Sequence, residues 1–199
     1  RGLGREPAAE PPPEADIPAW LFARWSAQYG VEAAQAIALN ARVEPPADLS
    51  LKPCADAAAL AEALPGEVLP GGTVRTRRGG DVAGWPGFEG GDWWVQDAAA
   101  AVPARLLAPR AGETILDLCA APGGKTLQLA ASGATVTALD RSEPRLRRLR
   151  ANLARTRLEA EVVVADGETW ADERTFDAVL LDAPCTATGT LRRNPEALY

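Results

Sequence analysis

The chain has 199 residues, a formal net charge of −6, 47% apolar and 24% charged side chains. These are ordinary values for one or two globular domains, and no run of 18 apolar residues exists, which excludes a spanning helix. The acidic balance excludes a bulk polyanion binder, so any contact with a phosphate backbone must come from a local patch.

No positively charged start precedes an apolar stretch, so no secretory signal is evident. Three cysteines, Cys54, Cys119 and Cys185, are too few and too odd in number for a disulfide scaffold, and a cytoplasmic location is expected. The absence of His excludes a histidine base or a His-bound zinc, and no metal site is expected. The chain opens at Arg1 and contains no Met, so it is expected to be processed or an excerpt of a longer product.

Residues 1–16 are polar, Pro-rich and aperiodic, and read as a flexible tail. In 17–30, Trp20, Leu21, Trp25 and Tyr29 fall near helical spacing, and 32–40 continues in helix formers until Pro45-Pro46. Alternation predicts short strands at 48–52 and 73–78 with a helix over 55–64 between them. Residues 17–95 thus form a small α+β module. A helix is predicted over 97–108, and then the pattern changes. TILDLC (114–119) is a strand, followed by a Gly-rich turn and a helix over 125–132. TVTALD (135–140) is a strand ending in an acid. The helix over 142–158 has Ser142 as N-cap, Pro144 in its first turn and Leu146, Leu149, Leu153 and Leu158 as one apolar stripe. Strands follow at 161–166 and 176–184. Strand–helix alternation with continuously apolar strands predicts an α/β domain over 96–199, its parallel sheet covered on both faces.

Four of these strands carry polar residues at their carboxyl edge: Asp117-Leu118-Cys119, Asp140, Asp166 and Asp182. Open α/β sheets bind ligands outside the carboxyl ends of their strands. The first turn reads Cys119, Ala120, Ala121, Pro122, Gly123, Gly124, Lys125, Thr126. Its small residues admit a ligand against the backbone, but it has neither the three spaced glycines of a dinucleotide site nor the spacing of a P-loop. An acid about 20 residues after such a turn suits two ribose hydroxyls, and Asp140 holds that position. The pattern indicates a nucleoside ligand without a phosphate grip. Acids after strands are also common helix caps, but four in register beside this turn are hard to obtain by capping alone.

Cys185 follows Pro184 in a polar Thr/Gly loop, three residues after Asp182. That context distinguishes it from Cys54, which reads as filler, and from Cys119, whose backbone matters more than its sulfur. Seven arginines lie between Arg141 and Arg157, and a solvated outer face is favoured over an RNA track. Trp93 and Trp94 are read as core anchors before base-stacking platforms. Residues 1–95 carry a net charge of −5 and residues 96–199 only −1, so the second half is the less repulsive one for a phosphate backbone, and only a local patch could drive binding. Arg192 and Arg193, after the Cys185 loop, are the candidates.

The strings DLCAAPGGKT (117–126) and DAPCTATGTLRRNP (182–195) closely resemble the Sun family of RNA cytosine-C5 methyltransferases. PGFEGGDWWVQDAAA (86–100) resembles the lead-in to that family's catalytic domain, and 17–85 more weakly its helical piece and RRM-like module. The resemblance implies a Rossmann-like class I methyltransferase domain, C-terminally incomplete, preceded by a small α+β RRM-like RNA-binding module. It implies S-adenosyl-L-methionine as cofactor, with Cys119, Ala120, Ala121, Pro122, Gly123, Gly124 and Lys125 around its methionine part. Asp140 would hold the ribose, Asp166 face the adenine, and Asp182 lie between cofactor and target base, assisting at cytosine N3. Asp182 and Cys185 are the catalytic candidates. The implied substrate is ribosomal RNA, with transfer RNA, or an RNA-binding scaffold without turnover, as alternatives. A monomer is expected.

The family's attacking thiol comes from a Thr-Cys-Ser motif on a later strand, which these 199 residues do not contain. Cys185 would then assist product release, whereas in DNA cytosine methyltransferases the Pro-Cys thiol itself attacks, so both roles stay open. Four of the fold's usual seven strands are present, leaving an open apolar edge at 176–184. The chain as given is expected not to methylate RNA by itself.

Overall fold

Pro45 and Pro46 remove two successive backbone donors, and the chain changes unit between them. The computed structural model describes residues 11–193. These form two compact units: residues up to Pro45 together with those from Cys185 onward, and Pro46–Pro184.

In the first unit, a 3-10 turn over Pro13–Asp16 leads into α1 (Ala19–Tyr29) and α2 (Val31–Ala41), separated by Gly30 at φ 87°. Ile17, Leu21, Ala38 and Leu191 make its buried cluster. Of the expected tail, residues 11–16 are described, and Pro13–Asp16 form the 3-10 turn. Arg42 pairs with Asp16 at 2.6 Å and donates to the carbonyls of Pro11 and Pro12. Residues 1–10 lie outside the described residues.

The second unit begins with β1 (Ala47–Leu51), α3 (Ala57–Ala63), β2 (Gly66–Val68), β3 (Val74–Thr76) and β4 (Trp93–Val95). They make an antiparallel sheet in the order β2-β3-β1-β4. Asp56 caps α3 by accepting from the Ala58 and Ala59 N–H groups. Successive strand residues face opposite ways. Leu49, Val74 and Trp93 pack with Ala61, Leu64 and Trp85 on one side. Trp94 turns to the other side and joins Leu127, Leu146 and Leu149. Both tryptophans are core anchors.

The second sheet follows: α4 (Val102–Leu107), β5 (Thr114–Leu118), α5 (Gly124–Ala131), β6 (Thr135–Asp140), α6 (Glu143–Thr156), β7 (Glu161–Val164) and β8 (Ala178–Leu181). All its strands are parallel, in the order β7-β6-β5-β8. The helix expected over 97–108 shrinks to six residues because Asp97 turns the chain, accepting from the Ala99 and Ala100 N–H groups, and Pro103 sits in the first turn. Ile115, Val136, Ala138 and Leu180 lie on one face, beneath α4, α5 and α6. Cover on both faces does not hold throughout: Val179 and Leu181, on the opposite face, are 52% and 62% exposed. The reason is that α4, α5 and α6 all pack on the same side.

The expected boundary at 95/96 falls inside the second unit. Arg155 at the end of α6 donates to the carbonyls of Phe88 (2.8 Å) and Trp93 (3.1 Å), its guanidinium 4.1 Å above the Phe88 ring. Gly91 lies so close to α6 that a Cβ there would overlap the Arg155 carbonyl oxygen. Residues 86–95 are thereby clamped to the second sheet. Among the described residues, no helix is long and apolar enough to cross a membrane.

Candidate functional site

A parallel sheet brings its strand carboxyl ends to one edge. At that edge Cys119 leaves β5 at φ 60°, the Ala121–Pro122 peptide is cis, and Gly123 enters α5 at φ 109°. The turn is fastened to β6: the Ala120 N–H donates to the Leu139 carbonyl (3.0 Å) and the Ala121 N–H to Asp140 Oδ2 (3.1 Å). Asp140 Oδ1 accepts from the Ser142 N–H at 2.8 Å. Ser142 thus occupies the N-cap position while the neighbouring carboxylate does the bonding. Arg145, in the first turns of α6, donates to the Ala121 carbonyl and lies 3.6 Å from Asp140 Oδ2.

A cavity of about 490 Å³ opens beside this turn, lined by Leu118, Cys119, Asp140, Arg141, Arg145, Asp166, Glu168 and Pro184 among others. That volume suits a small-molecule ligand. Of the residues predicted for the site, Cys119, Asp140 and Asp166 line the cavity, while Ala120, Ala121, Pro122, Gly123 and Gly124 shape the turn behind it. Lys125 pairs with Asp182 at 2.6 Å. Asp166 Oδ1 accepts from the Glu168 N–H (3.0 Å), which folds the loop after β7 toward the cavity. Burial, then the nearby Asp140 carboxylate, push the Cys119 thiol pKa up, which keeps it protonated.

Cys185 lies in the other unit, is exposed, and its Sγ accepts from the Ala187 N–H at 3.3 Å. Arg192 donates to the carbonyls of Val43 (3.0 Å) and Glu44 (3.5 Å), so its guanidinium is engaged within its own unit; Arg193 is exposed. Four of the seven arginines of 141–157 hold structure: Arg145, Arg150 with Glu143, and Arg155 and Arg157 with the loop before β4. Sequence reasoning missed Arg145 as a site residue. Its only signal is helix register, five residues after Asp140.

Asp117 does not reach the cavity wall. It is buried beneath the turn, where Oδ2 accepts from Thr126 Oγ1 at 2.6 Å and Oδ1 has no partner among the described residues. Burial pushes its pKa up to about 6. The folded value lies above the ordinary 3.8, so this group's contribution is fully present below pH 3.8 and is lost as pH rises to about 6. The loss is roughly 3 kcal/mol in total. Asp117→Asn is expected to flatten the stability profile between these pH values and to melt higher than the parent at pH 8. Parallel urea-midpoint profiles for the two proteins would refute the assignment.

Residues 104–199 match the family described as 16S rRNA methyltransferase RsmB/F. The chain is 51% identical over 128 residues to a protein of Cronobacter sakazakii named ribosomal RNA small subunit methyltransferase B, covering 62% of this chain and 30% of that one. It is 50% identical over 140 residues to the protein of that name in Yersinia enterocolitica, covering 68% and 32%. The chain thus spans about three-tenths of the length of these curated relatives. A crystal structure of a methyltransferase homologue from Pyrococcus horikoshii superposes with a TM-score of 0.71 at 29% identity, covering 93% of this chain and 67% of that one. The second sheet accordingly has the Rossmann-like methyltransferase fold.

Proposed function

We propose that this chain, whose residues 104–199 match the RsmB/F family, is a member of the Sun (RsmB/F) family and serves S-adenosylmethionine-dependent methylation of cytosine C5 in ribosomal RNA. The observation that carries this reading is the convergence of Cys119, Asp140 and Asp166 on one cavity of about 490 Å³, with the Lys125–Asp182 pair at the adjoining strand end. The residues fit the cofactor's chemistry. Carboxylates at Asp140 and Asp166 accept from ribose hydroxyls and an adenine amino group. The turn 119–125, fastened by Ala120, Ala121 and Arg145, presents backbone and the Lys125 ammonium to an amino-acid moiety. When bound, S-adenosylmethionine supplies an electrophilic methyl group.

Cytosine C5 is a poor nucleophile until a thiolate adds at C6 and makes C5 an enamine carbon. N3, taking up a proton from solvent as the thiolate adds at C6, donates it in a hydrogen bond to the Asp182 carboxylate. Lys125, 2.6 Å away, fixes that carboxylate where β8 ends. Cys185 serves release of the methylated base.

The test is transfer of labelled methyl from S-adenosylmethionine to unmodified small-subunit ribosomal RNA by a longer chain that includes the Thr-Cys-Ser segment, followed by nucleoside analysis. Label in 5-methylcytidine supports the reading, and label in another nucleoside overturns it. In a longer chain that supplies the family's Thr-Cys-Ser thiol, Cys185→Ala is expected to accumulate an RNA adduct that survives denaturing gels. Loss of both adduct and transfer would make Cys185 the attacking thiol, and full activity would make it structural.

A further inference from the structure

We propose that a second cavity, between β1, the β2–β3 turn and α4–α5, binds a phosphate group, and that its occupant is a phosphodiester of the substrate RNA. The second half of this statement rests on the RNA substrate proposed above; the first does not. The cavity has a volume of about 160 Å³ and is lined by Ser50, Gly71, Gly72, Trp94, Arg105 and Ser132, with four further residues. It shares no lining residue with the larger cavity and lies wholly within the second unit. At a third of that volume it is too small for a nucleoside but has room for a tetrahedral oxyanion.

Arg105 is the reason for a charged ligand. Its guanidinium donates to Thr73 Oγ1 at 2.5 Å, and among the described residues no carboxylate lies within ion-pair distance of it. Arg42, Arg75, Arg145, Arg150 and Arg174 all pair with acids. The half-buried Arg155 and Arg192 also lack a paired acid but each donates to two backbone carbonyls, whereas the one hydrogen bond of Arg105 among the described residues is to the Thr73 hydroxyl. The turn between β2 and β3 is shaped around it. Gly71 stands at φ +88°, and a Cβ there would lie 3.1 Å from the Arg105 Cζ. Any side chain would push the guanidinium out of place.

Ser50 is the second observation. It lines the cavity at 3% exposure, and its hydroxyl has no partner among the described residues. A buried hydroxyl without a partner is costly, and a ligand oxygen would satisfy it. A planar guanidinium fork beside a hydroxyl donor matches the paired oxygens of a phosphate. The neighbouring Trp94 ring and Gly71–Gly72 turn add no negative charge to oppose it.

The experiment has two arms on the same protein. In the first, inorganic phosphate is titrated against chloride at constant ionic strength, with melting temperature as readout. Phosphate is expected to stabilise the parent protein and Arg105→Lys. Arg105→Gln should bind it about tenfold more weakly, given hydrogen bonds to a charged group. Ser50→Ala, which removes an unsatisfied hydroxyl and leaves the fold intact, should bind it several-fold more weakly. In the second arm, binding of a labelled single-stranded segment of small-subunit ribosomal RNA is followed against salt. Arg105→Gln is expected to lower the slope of log K against log salt by about 0.7, the value of one lost phosphate contact. S-adenosylmethionine affinity should be unchanged in that variant. An unchanged slope in Arg105→Gln overturns the RNA occupant. If the parent protein binds no RNA, the substrate reading fails separately and the first arm decides. Arg105-dependent stabilisation by phosphate then supports a site for a free phosphate ester, and its absence overturns the site itself.

Discussion

Asp140→Ala is expected to abolish S-adenosylmethionine binding and to lower stability by about 3 kcal/mol, for two separable reasons. The carboxylate is 3% exposed and accepts from two backbone N–H groups, those of Ala121 and Ser142. Removing it leaves the buried Ala121 N–H and the half-buried Ser142 N–H without partners, at about 1–3 kcal/mol for the buried one and less for the other. It also removes the nearest negative charge from Arg145, which is itself tied to the Ala121 carbonyl. The turn 119–125 therefore loses its anchor to β6 together with the acceptor for the ribose. Asp140→Asn separates the two effects. The amide keeps the shape and an acceptor, so the fold should hold, while S-adenosylmethionine should bind at least about tenfold more weakly without the charged acceptor. Urea titration and calorimetry measure the two quantities. An Asp140→Asn protein that binds the cofactor as tightly as the parent would remove Asp140 from the ribose position.

The residues that were legible in the sequence are those whose roles are fixed locally. β5 and β6 were found nearly to the residue because TILDL and TVTALD are apolar runs bounded by turn residues. The acids at 140 and 166 were found because strand direction alone brings them to one edge. What escaped depends on partners distant in sequence. β2 is three residues, including a Gly, and exists because Gly66 to Val68 pair with Thr76 to Val74 of β3. β4 looked like an aromatic pair, and only its pairing with β1 makes Trp93 and Trp94 point to opposite cores. Asp117 looked equivalent to the other strand-end acids. Its depth comes from α5 folding back to put Thr126 over it. The bonds from Arg192 to the carbonyls of Val43 and Glu44 likewise depend on residues about 150 positions earlier in the chain.

The same dependence on distant packing governs the most damaging small substitution in the turn. Gly123→Ala is expected to cost about 3–5 kcal/mol, a large fraction of a domain's typical stability, and to eliminate cofactor binding. Backbone strain is one part. Gly123 stands at φ 109°, a conformation that L side chains rarely adopt and that costs a non-Gly residue of order 1–3 kcal/mol. Overpacking is the other. A Cβ there would overlap Leu149 Cδ1 and come within 3.2 Å of Leu149 Cβ. Leu149 is fully buried among Leu127, Leu146 and Trp94, so it has no room to retreat. The clash must then be relieved by moving the turn away from α6. That movement breaks the Ala121 bonds to Asp140 and Arg145 and opens the wall of the cavity. Gly124→Ala is the control. Gly124 carries no positive φ, and its nearest neighbours are side-chain atoms of Gln96 at 3.2 to 3.4 Å, which can yield. Pairing Gly123→Ala with Leu149→Ala should relieve the overlap but not the backbone strain, so it should recover cofactor binding in part while remaining unstable from the cavity it leaves. Thermal melts and S-adenosylmethionine titrations of the three variants decide the matter. A Gly123→Ala protein that melts and binds like Gly124→Ala would mean that the turn does not depend on the close approach of α6.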